Sequence, residues 1–204
     1  MADDDRLASY RDKRDPESTP EPDASSSEAG DGPIFVVQEH DASTRHFDLR
    51  IEIDGVLKSW SVPKGPPTDP SDKRMAIPTE DHPVGYADFE GVIPEDEYGG
   101  GTVLIWDRGP YRNLREAKDD DGASMAEAYD DGKLEVWLDG DKIRGGYALI
   151  RTGSADDDDA RWLLVKMDDD EADARRNPTS TEPESVASGR TMDEIADEEG
   201  GDDS

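Results

Sequence analysis

The stretch HFDLRIEIDGVLKSWSV, residues 46–62, decides the fold. Its first half alternates with period two. Phe47, Leu49, Ile51 and Ile53 fall on one face and His46, Asp48, Arg50 and Glu52 on the other, as in a half-buried strand. Asp54-Gly55 follows, a dipeptide suited to a type I′ turn, in which both central residues need positive φ. A two-residue turn here fixes the register. Phe47 then faces Val62, Leu49 faces Trp60 and Ile53 faces Val56, giving both strands an apolar face. On the other face Arg50 meets Ser59 and Asp48 meets Ser61. A His-x-Asp-x-Arg row thus lies beside two small hydroxyls, with room for a ligand.

Upstream, IFVVQEH from Ile34 reads as a buried strand that delivers His40 at its end. Downstream, PKGPPTDPSDKR is a Pro-rich loop carrying Lys64, Lys73 and Arg74. The next segment places His82 before a proline that biases it toward extended geometry, with Tyr86 four residues on. EYGGGTVLIWDRG reads as a glycine-rich turn entering a strand, Thr102–Asp107. Because no GK[ST] follows and the glycines precede a strand, a phosphate-binding loop is excluded. Residues 109–122 read as loop. Residues 124–132 read as one short helix, with Ser124 as N-cap and Gly132 as its stop. KLEVWL and KIRGGYALIR form a second hairpin around Asp139-Gly140, and RWLLVKM is the last strand. Many short strands argue an all-β, mainly antiparallel barrel or sandwich, with one or two short helices.

Composition divides the chain. Its 204 residues, 32% of them hydrophobic, suit one domain with sizeable tails. Residues 1–32 read as a mostly disordered acidic arm, with a segment around Tyr10–Glu21 able to fold back. Residues 33–167 are the folded domain. Residues 168–204 hold fourteen acids, three bases and no aromatic, and read as a disordered acidic tail. The absence of cysteine excludes disulfides, thiolate metal sites and cysteine nucleophiles. MADDDRLASY is no signal peptide and no apolar run approaches a membrane span, so a cytoplasmic location is expected. The net charge of −30 reads as halophilic solubility rather than nucleic-acid mimicry or a chaperone for basic proteins. The reason is its uneven spread: Pro33 to Met75 carry six Lys/Arg and seven Asp/Glu.

All three histidines, His40, His46 and His82, lie in the expected domain, two of them beside Asp48. Imidazole with carboxylate suits Mn²⁺, Fe²⁺ or Zn²⁺. His46 and Asp48 leave one strand on the same side, about 7 Å apart, and His40 can return from the neighbouring strand. A polar, solvent-facing strand side explains one such histidine but not the grouping. Arg50, a rigid fork of donors, suits a phosphate or carboxylate oxygen; its ordinary role would be a surface ion pair with Asp48 or Glu52. Phosphoryl chemistry asks for this set, with loop lysines and with His82 as acid or further donor. Taken singly, His82 and Tyr86 fit a turn histidine and a core aromatic equally well. Two other classes compete. His46-x-Asp48 with His82 spells the facial triad of a non-haem Fe(II) oxygenase, for which only Arg144 or Arg151 offers a late-strand anchor. A non-catalytic acidic binding module leaves the row unexplained.

FVVQEHDASTRHFDLRIEIDGVLKSWSVPKGP and EDHPVGYADFEGVIPEDEYGGGTVLIWDRG closely resemble the 3′-phosphoesterase domain of bacterial DNA ligase D and its stand-alone archaeal relatives. The resemblance covers about residues 33–167. YRDKRDPESTPEP resembles that family's N-terminal arm, with Pro16 where an aromatic is expected. The resemblance implies a small β-barrel around a Mn²⁺ site, other divalent transition metals being alternatives. It implies removal of a 3′-terminal ribonucleoside, then of the 3′-phosphate, from a DNA or DNA–RNA primer-template end, leaving a 3′-hydroxyl for repair by end joining. On the matching positions it implies His40, His46 and Asp48 as metal ligands and Arg50, His82 and Tyr86 as the other essential residues. Lys64 and Arg74 would meet the terminal phosphate, and Gln38 and Glu80 would be polar site residues. Arg14, Asp15 and Glu21 would serve ribonucleoside removal. Phe47 stands where the family often has tyrosine. The chain is expected to act as a free-standing end-healing enzyme with a separate ligase and polymerase. It is also expected to bind DNA weakly and locally through Arg50, Lys64, Arg74 and the metal.

Overall fold

A computed structural model of the chain describes residues 6–26, 31–118, 122–154, 156–157 and 159–200. In it the hairpin takes the register its turn dictates. Asp54 has φ 51° and Gly55 φ 83°. Strand β2 (Arg45–Ile53) pairs with β3 (Val56–Val62) through Phe47↔Val62, Leu49↔Trp60 and Ile53↔Val56. Ahead of it lies β1 (Ile34–Asp41). After it come β4 (Lys73–Pro83), a 3-10 turn over Val84–Asp88, β5 (Gly91–Ile93) and β6 (Gly101–Asn113). The last strands are β7 (Lys133–Asp139), β8 (Arg144–Thr152) and β9 (Arg161–Lys166).

Neighbours run β1-β2-β3-β4-β9-β8-β7-β6, and β6 pairs back onto β1. Every pairing is antiparallel. The result is a closed eight-stranded barrel, with β5 added along the first residues of β6; closure removes the free sheet edges. The inward faces of the strands fill it: Phe35, Leu49, Ile51, Trp60, Trp106, Leu134, Tyr147 and Leu164 have essentially no exposed surface. Phe47 meets Trp106 edge-on, and Trp60 meets Trp162 in the same way.

Strand β6 runs well past Asp107, through residues expected to be loop. Pro110 sits opposite Ile34, and Gly109 is required by close approach, since a Cβ there would meet the Asp139 carbonyl at 2.2 Å. The short helix forms as expected at Met125–Asp131, here α2, with a Ser124–Glu127 capping box and Gly132 at φ 77°.

Both flanks differ from the expected disorder. The sequence boundaries at residues 1–32 and 168–204 follow charge; packing does not. Near the N-terminus, helix α1 (Ala8–Asp12) buries Tyr10, and Leu7 beside it is also buried. They join a second apolar layer outside the barrel with Leu57, Tyr86, Ile93 and Val103. Beyond Met167, the described residues form a strap across the barrel. Its backbone is tied by Asp173 N–H to the Thr68 carbonyl and Val186 N–H to the Ile105 carbonyl, and Trp106 Nε1 donates to the Glu182 carbonyl at 2.9 Å. The strap contains a helical turn, α3 (Pro178–Thr181), and helix α4 (Met192–Glu199). Met192 and Ile195, three residues apart, are buried against the barrel core. Residues 1–5, 27–30 and 201–204 of the expected tails lie outside the described residues. Among the described residues no helix is long and apolar enough to cross a membrane.

Candidate active site

The outward face of β1 to β4 carries the polar row. Antiparallel pairing sets His40 opposite His46 and Gln38 opposite Asp48, while β3 brings Ser61 and Ser59 opposite Asp48 and Arg50. His82, near the end of β4, arrives beside Arg50 through a register shift next to Leu57. His40, His46, Asp48, Arg50, Ser61 and His82 floor a cavity of about 310 Å³.

Arg50 is pinned on every side and 4% exposed. Its Nε donates to Gln38 Oε1 at 2.7 Å, its Nη2 to Asp48 Oδ2 at 3.4 Å, and its Nη1 lies 3.2 Å from His82 Nδ1. Gln38 is oriented in turn, because its Nε2 donates to the carbonyls of Tyr86 and Phe89. The guanidinium lies 4.8 Å from the centre of the Tyr86 ring.

One nitrogen of each of His40 and His46 and an oxygen of Asp48 lie within 4.8 Å of one another, the one such group among the described residues. Three observations fit a divalent cation there. His46 Nδ1 is 2.9 Å from the Thr44 carbonyl, which can only accept, so that nitrogen carries the proton. Its Nε2 faces Asp48 Oδ1 at 3.2 Å, bridged by a proton when the ring is charged and open to a cation when it is neutral. His40 Nε2 is buried with no hydrogen-bond partner. Finally, Asp48 Oδ2 lies 3.7 Å from His40 Nδ1, so the third side chain of the group converges on the same carboxylate. Burial alone would push the Asp48 carboxyl up. Hydrogen bonds from His40 and His46 and the Arg50 charge hold it far below the usual range instead. For His46, burial favours the neutral ring, but the Asp48 bond and charge outweigh it and the pKa is raised.

The N-terminal arm roofs the cavity. Arg14 stacks on Tyr10, 4.0 Å from the ring centre, and donates to Glu21 Oε1 at 2.9 Å and Glu80 Oε1 at 3.0 Å. Its Nη2 lies 3.4 Å from His82 Nε2. His82 therefore sits between two guanidiniums. Burial, then Arg50 and Arg14, depress its pKa strongly, so the ring is neutral. With the Glu80 carbonyl 2.9 Å from Nδ1, the tautomer set by these partners puts the proton on Nδ1 and a lone pair toward Arg14. Tyr86 donates to Glu21 at 2.8 Å; burial and the Glu21 charge push its phenol well up.

Most of the expected residues thus meet: Gln38, His40, His46, Asp48, Arg50, Glu80, His82, Tyr86, Arg14 and Glu21. Three do not. Asp15 is exposed, and its carboxylate caps the Glu17 N–H. Lys64 and Arg74 line a neighbouring cavity with Glu39, Arg45 and Thr179 of the strap, and Arg74 pairs with Asp72. The oxygenase reading also loses its triad, since His40 rather than His82 joins His46 and Asp48. Arg144 and Arg151 bond instead to the Asp139 carboxylate and the Asp130 carbonyl. Tyr10, Lys13 and Tyr98 were not singled out from sequence; nothing short of the folded arm distinguishes them from ordinary surface residues.

The closed antiparallel barrel thus carries a two-histidine, one-aspartate group able to hold a divalent cation beside two arginines able to meet an oxyanion. The sequence profile of the DNA ligase D 3′-phosphoesterase domain matches residues 38–151. The chain is 44% identical over 190 residues to the multifunctional non-homologous end joining protein LigD of Pseudomonas aeruginosa, covering 91% of this chain and 22% of that protein. It is 46% identical over 164 residues to the corresponding DNA repair protein of Mycobacterium tuberculosis, covering 80% and 20%. With the Mycolicibacterium smegmatis protein the identity is 40% over 166 residues, covering 81% and 21%. The chain belongs to the DNA ligase D 3′-phosphoesterase domain family. It spans about a fifth of the length of these relatives.

Proposed function

We propose that the chain is a metal-dependent hydrolase of DNA 3′ ends, removing a terminal ribonucleoside and then the 3′-phosphate to leave a 3′-hydroxyl. The single observation that carries the reading is the His40–His46–Asp48 group set beside two pinned arginines. His40, His46 and Asp48 would hold the ion, Mn²⁺ in this reading, which when bound supplies Lewis acidity at the phosphate. Arg50 and Arg14, fixed before substrate arrives, take the phosphate oxygens without reorganisation. Glu21, buried on the arm, and Glu80, half-buried on β4, take the sugar hydroxyls of a terminal ribonucleoside. His82, kept neutral, accepts from Arg14 at Nε2 and packs beside Arg50 rather than acting as a charged acid, and Tyr86 holds Glu21. Lys64 and Arg74 engage the strand farther out, in their own cavity. The relatives are named as end-joining proteins, so the partners in this reading are DNA or DNA–RNA primer-template ends and separate joining and polymerising activities, in the cytoplasm.

The test is a labelled primer-template ending in one 3′-ribonucleotide, with and without Mn²⁺, beside an Asp48→Ala variant. Stepwise conversion to a 3′-phosphate and then a 3′-hydroxyl is expected. The variant should lose on the order of 100-fold or more, together with Mn²⁺ binding by calorimetry. No product from the wild type at any salt concentration removes the reading.

A further inference from the structure

Tyr98 stands at the mouth of the same cavity, and no role so far described uses it. It is 48% exposed, whereas every other aromatic side chain of the described residues is buried or half-buried. An exposed aromatic ring at the mouth of a polar cavity offers a face on which a nucleobase can stack.

Its position is built. The turn that carries it is closed by Glu97 N–H to the Pro94 carbonyl and Gly100 N–H to the Glu97 carbonyl, each at 3.0 Å. Gly99 has φ 76°, and a Cβ there would lie 3.9 Å from His40 Cε1, so the turn abuts the proposed metal group directly. A Cβ on Gly100 would meet the Pro94 carbonyl at 2.7 Å, so the backbone is fully tightened at that point. The ring is held from the arm as well. Lys13 Nζ donates to the Tyr98 hydroxyl at 3.3 Å and lies 4.7 Å from the ring centre, and Arg14 Cζ lies 5.4 Å from it. Lys13 is itself anchored on Glu80. The arm's cations thus fix the ring while about half of the side chain stays open.

We infer that Tyr98 is the stacking platform for the nucleobase of the substrate's 3′-terminal nucleoside, an inference that rests on the phosphoesterase reading above. With the sugar hydroxyls at Glu21 and Glu80 and the phosphate at Arg14 and Arg50, the base of the leaving nucleoside is the part left at the cavity mouth. Stacking suits it because every base has a π face. The site then takes any terminal base and reads none of them by hydrogen bonds.

The experiment compares wild type, Tyr98→Ala and Tyr98→Phe on two primer-templates that differ in one respect. One ends in an ordinary ribonucleotide and the other in an abasic ribose. Loss of one stacked base is worth on the order of tenfold or more. Tyr98→Ala should therefore raise KM about tenfold on the base-bearing end and leave the abasic end unchanged, with Tyr98→Phe near wild type on both. Quenching of a terminal 2-aminopurine by wild type, absent with Tyr98→Ala, is the second expected result. Equal effects on both ends, or none on either, overturn the inference while leaving the reaction intact. A wild type inactive on both ends removes the reaction, and this inference with it.

Discussion

The carboxylate of Asp107, which has no exposed surface, accepts four backbone N–H groups. Oδ1 takes those of Arg108 and Asp141 at 2.9 Å, and Oδ2 those of Lys142 and Ile143 at 3.0 and 2.8 Å. The connection between β7 and β8 is therefore organised by a side chain from β6. Gly140 follows from the same contact, because a Cβ there would lie 2.3 Å from Oδ2. Asp107→Ala would strand three loop donors, each costing about 1–3 kcal/mol when buried without a partner. A loss of roughly 3 kcal/mol in urea denaturation is expected, and a change below about 1 kcal/mol would contradict this account. None of this is legible in WDRG, because three of the four donors lie more than thirty residues away. The site residues are different. His46, Asp48 and Arg50 could be grouped from sequence alone, since strand alternation and one turn put them on a shared face with Ser59 and Ser61.

At the scale of elements, the strap is the part least visible in composition and most dependent on particular contacts. Glu90, beyond the 3-10 turn, holds it. One carboxylate oxygen accepts the Ile105 N–H, and the other accepts from Ser188 Oγ at 2.6 Å and Arg190 Nη2 at 3.3 Å. Burial raises its pKa, but hydrogen bonds from Ser185, Ser188, Ile105 and Arg190 outweigh it and the net shift is downward. A carboxyl whose folded pKa is depressed contributes stability that is present above its ordinary value. That stability is lost as pH falls through the lowered one. Hydrogen exchange in residues 185–199 should thus accelerate relative to the barrel strands below about pH 4, and Glu90→Gln should accelerate it at neutral pH and flatten the dependence. Protection that ignores pH in both proteins would discard this anchor. One local signal for the strap did exist: Thr191-x-x-Glu194 is a capping box before Ile195, and both of its bonds form. It was outweighed by fourteen acids. The hairpin, by contrast, was legible because its turn and its pairing are both local.

The whole molecule carries a net charge of −30, and its positive groups are mostly spent on internal ion pairs such as Arg14 with Glu21 and Lys166 with Asp169. Self-repulsion of that size destabilises the compact state at low salt and is screened as the Debye length falls from about 30 Å at 0.01 M to 3 Å at 1 M. The thermal midpoint should rise over that range, and a midpoint that falls or stays level would remove net repulsion as a determinant. Barrel closure itself was beyond sequence reading. The pairing of β1 with β6 and of β4 with β9 joins segments with no shared turn to announce them.

Those two seams also carry a clock. The meander from β1 to β4, which bears every histidine, has its partners close by along the chain and can pair early. Its two outer edges must wait for β6 and for β9, and loop-closure entropy makes such distant pairings the slow steps of assembly. During that wait the sheet is open and the strap has nothing to lie across. Chaperones and proteases would therefore meet this chain as an unsealed sheet with its polar row already laid out, sealed only when residue 166 arrives.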